Sequence, residues 1–214
     1  MPRVRLLYEK RGGACFVPHV ALATVFTRAA ARAGITLHLT EGFSPHPRMS
    51  FGPELPAGVV ALCEPVDVRV REYPERSGDE RVWNDQMPDG FRVLRSLPVA
   101  EDAPALGKVC RAAHYRIWPR NGRVEELSSR LAGHYGEDVL DLSVEDSDRG
   151  RGVSLALANP AANGIGGWVR ALVASEFVAG WQDLCIVRTT LGLWEEGRVK
   201  FPGATEIYHQ EGIE

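Results

Sequence analysis

Val4, Leu6 and Tyr8 alternate with Arg3, Arg5 and Leu7 near the start of the chain, the two-residue period of a strand with one buried face. The period then changes. Leu22, Val25, Phe26, Ala29, Ala30 and Ala33 recur every three or four positions, which predicts a helix over 18–33, with Pro18 in its first turn and Gly34 just past its end. Ile35, Leu37 and Leu39 alternate as a second strand, and Val66, Val68 and Val70 as a third. Ser77-Gly78-Asp79-Glu80 has the form of a capping box opening a short helix toward Met87. Pro88-Asp89-Gly90 stops that helix, and 91–97 reads as a fourth strand.

The same order begins again after a linker at 98–107 that is rich in Pro, Ala and acids. Residues 111–118 alternate as a strand, Val124, Leu127, Leu131 and Tyr135 mark a helix ended by Gly136, and 139–145 and 153–158 pair around a polar turn. Ile165, Trp168, Val169, Leu172, Val173 and Phe177 repeat helically, and 186–193 closes the unit as a strand. The expectation is an α+β protein of two tandem βαββαβ ferredoxin-like units, at 1–98 and 108–194, each with both helices on one sheet face. Residues 195–214 read as a polar, loosely attached C-terminal extension. In the first unit the face away from the helices would carry Arg3, Arg5, Leu7, His38, Asp67, Arg69, Arg71 and Arg92. That is a basic surface without the aromatic side chains on which RNA-reading sheets stack bases.

With 44% hydrophobic and 25% charged residues in 214, the chain has the composition of a globular protein. No apolar stretch approaches the roughly 20 residues of a membrane helix, and the N-terminus has no signal-peptide pattern, so a soluble, cytoplasmic protein is expected. Cys15, Cys63, Cys110 and Cys185 lie dozens of residues apart, unlike the close spacing of zinc or iron–sulfur ligands, and read as reduced thiols. No metal or cofactor is expected. The net charge is −3, yet residues 1–60 hold seven basic and three acidic residues, a local excess of +4 that leaves −7 for the remainder. One polar or anion-contacting surface fits this distribution better than general nucleic-acid binding.

Residues 41–58 form an unusually long connection for a compact domain. Its four prolines lower the entropy lost on ordering, and Phe43, Met49, Phe51 and Leu55 can hold it down. On that frame stand Glu41, Ser44, His46, Arg48 and Ser50. Arg48 can grip a carboxylate or phosphate with two parallel hydrogen bonds, and His46 can move a proton near neutral pH. His19, at the start of the expected first helix, would favour an anion there. These residues, with Phe43 and Phe51, are the candidate binding site, and a structural clamp is the competing reading of the same loop.

Val4-Arg5-Leu6 through Glu9-Lys10, the Phe16-Val17-Pro18-His19 turn, the helix end at Gly34, and above all Glu41-Gly42-Phe43-Ser44-Pro45-His46-Pro47-Arg48 with Ser50-Phe51 resemble the radical SAM-linked protein family. The resemblance is specific over 4–70 and looser beyond Trp83. The chain departs from the family's usual Asn at Ser44 and usual Ser at Pro18, which removes an amide contact at 44 and a hydroxyl cap at 18. The resemblance implies an accessory, substrate-handling binding module working beside a separate radical SAM enzyme. Two rivals stand beside it. One is an RNA-binding protein of RNA processing or modification, by fold analogy alone; the other is a small hydrolase or transferase using His46 with Glu41 or His19.

Overall fold

The computed structural model describes residues 2–71 and 79–202. Its nine strands form one sheet: β1 (Arg3–Lys10), β2 (Met49–Phe51), β3 (Val60–Arg69), β4 (Phe91–Val99), β5 (Ala112–Pro119), β6 (Val139–Ser147), β7 (Gly150–Ala158), β8 (Leu184–Glu195) and β9 (Arg198–Lys200). Five helices accompany them: α1 (Leu22–Arg32), α2 (Glu80–Asn84), α3 (Leu106–Val109), α4 (Val124–Tyr135) and α5 (Ile165–Ala174). The protein is thus of the expected mixed α+β class. The main path through the sheet is β4-β1-β3-β8-β5-β7-β6, with β2 on β3 and β9 on β8. All pairings are antiparallel except that of β3 with β8.

Several elements differ from the sequence reading for identifiable reasons. The first helix begins at Leu22, because Pro18 is extended and a separate 3-10 turn, His19–Ala21, intervenes. The strand expected at 35–39 is reduced to two isolated bridges, Leu37 to Val70 and Leu39 to Pro47. Its place beside β3 is taken by β2, whose Met49 and Phe51 pack on the first core while Leu39 stays exposed. Burying a methionine and an aromatic ring outweighs the weaker alternation upstream. Asp79 caps α2, its carboxylate accepting from the Arg81 N–H at 2.9 Å; Ser77 and Gly78 of the expected capping box lie outside the described residues. The C-terminal segment is not loose as far as residue 202. β9 pairs with β8, and Val199 and Phe201 are buried. Gly192 allows this return, since a side chain there would collide with the Lys200 carbonyl.

One core lies under α1 and α2, built on Val4, Leu6, Tyr8, Val66, Val68 and Trp83. A second lies under α4 and α5, on Ala113, Tyr115, Ile117, Leu155 and Trp168. The second core reaches into the first half through Leu7, Ala61 and Cys63, where α3 adds Leu106 and Val109. Residues 100–110 therefore cross the face of β1 that the helices leave bare. Arg3 donates to the carbonyls of Ala100 (3.0 Å) and Ala103 (2.7 Å), and Arg5 to that of Pro104 (3.1 Å). Arg5 also grips Asp67 with two bonds, of 2.6 and 2.9 Å, and lies over the Phe201 ring. The basic face is thus covered at Arg3 and Arg5, as a packing face would be. Leu7 on that face draws an apolar cover, and Asp67 neutralises the arginine that goes under with it. Arg69 is half-buried, Arg71 and Arg92 are exposed, and Arg92 pairs with Glu9 at 2.9 Å.

The strands of the two halves are hydrogen-bonded over only two residue pairs, Val60 with Val187 and Ala61 with Arg188. At that seam Arg188, 1% exposed, donates twice to the Glu64 carboxylate (2.7 and 2.6 Å) and once each to the carbonyls of Pro53 (2.9 Å) and Glu54 (3.2 Å). Burial alone would favour the neutral guanidine, but Glu64 and Tyr115 outweigh it and hold the Arg188 pKa above its ordinary value. Removing one partner leaves a buried, unpaired charge. Glu64→Gln or Arg188→Met alone should therefore cost about 3–5 kcal/mol in urea unfolding, and the double variant Glu64→Leu/Arg188→Met should recover most of that loss. A single variant within about 1 kcal/mol of the parent would show that the seam does not depend on the pair.

Candidate functional site

The 41–58 loop divides into two parts. Its first part is a projecting hairpin. The base is closed by the Leu39–Pro47 bridge, by Thr40 N–H to the His46 carbonyl (2.8 Å), by His46 N–H to Thr40 Oγ1 (3.1 Å) and by Arg48 N–H to the His38 carbonyl (2.8 Å). Beyond that base Glu41, Gly42, Phe43, Ser44 and Pro45 are all exposed, and the Phe43 side chain, at 109% relative exposure, touches nothing that shields it. His46 Nδ1 lies 2.9 Å from the Ser44 carbonyl. A carbonyl can only accept, so this nitrogen carries the proton. Arg48 Nη2 stands 3.8 Å from Glu41 Oε1, a loose surface pair.

The second part is a clamp. Gly52 N–H donates to the Pro65 carbonyl (3.2 Å), Pro53 and Glu54 receive Arg188, Leu55 is buried in the second core, and Gly58 N–H donates to the Cys15 carbonyl (2.9 Å). The clamp reading describes residues 52–58, while the 41–48 hairpin stands apart from those contacts.

The candidate residues separate accordingly. Glu41, Ser44, His46 and Arg48 share the hairpin. His19 sits elsewhere: its ring meets Phe51 edge-on at 5.7 Å, and Phe51 with Met49 packs on the α1 core. Alternation along β2 turns Arg48 and Ser50 to the opposite face. His19 instead shares the seam with Lys10, Glu54, Glu64 and Arg188, whose charges act on it, and burial lowers its pKa. The helix-start argument for an anion at His19 also lapses, because α1 begins three residues later. Of the seven basic residues that gave residues 1–60 their excess, Arg3, Arg5 and Lys10 are buried, so the surface field around the loop is weaker than the count suggests.

A family model described as an uncharacterized protein conserved in bacteria (DUF2344) matches residues 3–152. The chain belongs to that family. The family match spans the hairpin, His19 and Lys10 but ends before Arg188, so the clamp's second partner lies outside it. A comparison with curated protein sequences found no match. Among solved structures the chain is similar to an unknown protein from Galdieria sulphuraria, at 12% identity over 88% of this chain and 98% of that one, with a TM-score of 0.28. It is also similar to a "putative glycine cleavage system transcriptional repressor", at 10% identity over 87% and 98% of the two chains, with a TM-score of 0.25. Likenesses at these scores carry no argument about function.

The sequence reading passed over His114. In the second half it lies between Thr189 Oγ1 (2.6 Å) and Ser154 Oγ (2.9 Å), partners 75 and 40 residues away. The arrangement contains a Ser–His contact, but Ser154 is buried and the far ring nitrogen meets a hydroxyl where a hydrolytic triad has a carboxylate. Among the described residues no group of three or more His, Cys, Asp or Glu is placed to hold a metal, and the four cysteines are free thiols. No helix there is long and apolar enough to cross a membrane.

Burial, aided by Arg116, lowers the His114 pKa below its ordinary 6.5. With the folded value below the unfolded one, the stabilisation is full above about 6.5 and is lost as the pH falls through the lowered folded value. His114→Gln should accordingly flatten the acid limb of a plot of unfolding free energy against pH, and an unchanged limb would refute the assignment. Arg48→Ala, which breaks only the exposed pair with Glu41, should change stability by no more than about 0.5 kcal/mol in the same assay.

Proposed function

We propose that this chain is an accessory binding module that presents the 41–48 hairpin to a protein partner. The complete exposure of Phe43 on a base closed by hydrogen bonds carries the reading. An aromatic ring kept in water at the tip of a proline-stiffened hairpin loses little conformational freedom on docking and brings a large apolar area, the properties of an anchor residue at an interface. Arg48 beside it adds hydrogen-bond donors, while His46, whose Nδ1 proton goes to the Ser44 carbonyl, offers Nε2 as an acceptor, so the matching surface on the partner is an apolar pocket with mainly acceptor groups at its rim. The partner class, a radical SAM enzyme or the substrate it acts on, rests on the resemblance of residues 4–70 alone. A cytoplasmic setting belongs to the same reading.

We also infer that the halves are tandem ferredoxin-like units. In support, each orders its strands as fourth, first, third, second, β4-β1-β3-β2 and β8-β5-β7-β6, with a pair of helices over one face. RNA binding finds less support: residues 100–110 cover part of the sheet face that such units use for RNA, and Arg5 is committed to Asp67. Catalysis by His46 finds less as well, since of the partners expected for it His19 packs on Phe51 away from the hairpin and the Glu41 carboxylate faces Arg48.

The test is a titration with the purified radical SAM protein encoded nearest to this chain. Phe43→Ala should weaken binding by about 2 kcal/mol or more, and Arg48→Ala by about 1.5–3 kcal/mol, both with unchanged melting temperature. Binding that survives both substitutions would remove the hairpin from the interface.

A further inference from the structure

Seven charged side chains among the described residues are buried: Arg3, Arg5, Glu9, Lys10, Glu64, Asp67 and Arg188. Six of them have an ion-pair partner. Arg3 and Arg5 share Asp67, Glu9 takes Arg11 and Arg92, and Glu64 takes Arg188. Lys10 is the exception. Its residue is 2% exposed, and its ammonium makes one hydrogen bond, 3.2 Å to the carbonyl of Val17. An ammonium has three N–H donors, and a buried cation is tolerated where it is paired. The carboxylate whose charge acts on Lys10, Glu64, is already held at both oxygens by Arg188.

We propose that Lys10 and His19 form a binding site for a small oxyanion, a phosphate or carboxylate group, under the 16–20 segment. Three observations support it beyond the unpaired ammonium. The His19 ring makes no hydrogen bond among the described residues; Phe51 holds it by a ring contact alone, leaving its nitrogens available. Lys10 bonds to the backbone of residue 17, so the ammonium lies directly beneath the surface segment. That segment faces water: Phe16 is 72% and Val20 86% exposed, and extended Val17 and Pro18 join the end of one short 3-10 turn to the start of the next. A small shift of residues 16–20 would open the ammonium to an anion, which would give it the direct ion pair it lacks among the described residues. This site is separate from the hairpin of the proposed function, across the sheet from Arg48.

Thermal unfolding with inorganic phosphate in one arm and acetate in the other, against chloride at equal ionic strength, tests it. The melting temperature of the parent should rise and saturate with one or both anions, and the arm that responds identifies the group. Phosphate also stabilises proteins generally, so the comparison is with Lys10→Met, in which the saturable rise should vanish. His19→Gln should raise the half-saturating concentration about tenfold, the loss of one charge-assisted hydrogen bond. Should Lys10→Met fold poorly, His19→Gln still decides. No saturable rise in the parent, or a rise that both variants keep, overturns the proposal. The hairpin variant Phe43→Ala should leave the anion response intact, which separates failure here from failure of the partner reading.

Discussion

Glu64 and Arg188 meet where two backbone pairs are all that join the β3 and β8 strands. A parallel contact so short leaves unpaired carbonyls at the start of the clamp, and a guanidinium satisfies them while it binds the carboxylate. Arg188 has five N–H groups in a planar fork, and the structure uses that fork for Glu64, Pro53 and Glu54 together. A lysine could not replace it, because a point charge on a flexible stem does not reach three acceptors in fixed directions. The rest of the molecule depends on this junction. It anchors residues 53–54, so β2 on one side and Leu55 on the other enter two different cores.

The covered face of β1 obeys the same constraint. Arg5 can lie under the 100–104 crossing because Asp67, directly opposite it in register, takes two of its three bonds. Phe201 completes the cover from the far end of the chain. Lys10, at the far end of β1, is among the described residues the one buried charge without an ion-pair partner, and it lies beside the clamp that the seam holds in place. Stability arguments account for Arg5 and Arg188. They do not account for Lys10, and a buried group that stability does not explain is where ligand chemistry is sought.

The 41–58 loop shows how one segment can serve both ends. From Gly52 onward it is spent on structure, by hydrogen bonds to β3, Arg188 and the Cys15 carbonyl. Before Arg48 it meets only itself and the edge of the sheet, and Phe43 has no cover at all. Rigidity in the clamp is what makes the exposed tip a defined surface, because a hairpin on an unanchored base would lose the order that its prolines provide.

Most strands and the helices α4 and α5 were legible in the residues, since a two- or 3.6-residue period survives wherever one face packs on a core. Val4, Leu6 and Tyr8, and Leu127 and Leu131, show this plainly. The 41–58 loop could also be singled out, by its length and its prolines. What periodicity could not reach was the partner across the fold. Arg3 and Arg5 have the sequence pattern of a basic sheet face, yet a segment 97 residues and more downstream covers them. The second strand lost its place to Met49 and Phe51 because β3 offers one slot there and the larger apolar pair fills it. His114 with Ser154, Glu64 with Arg188, and the isolation of Lys10 are facts of distance between residues remote in the chain. Local pattern records which side of an element faces inward, and only the packed chain decides what stands opposite.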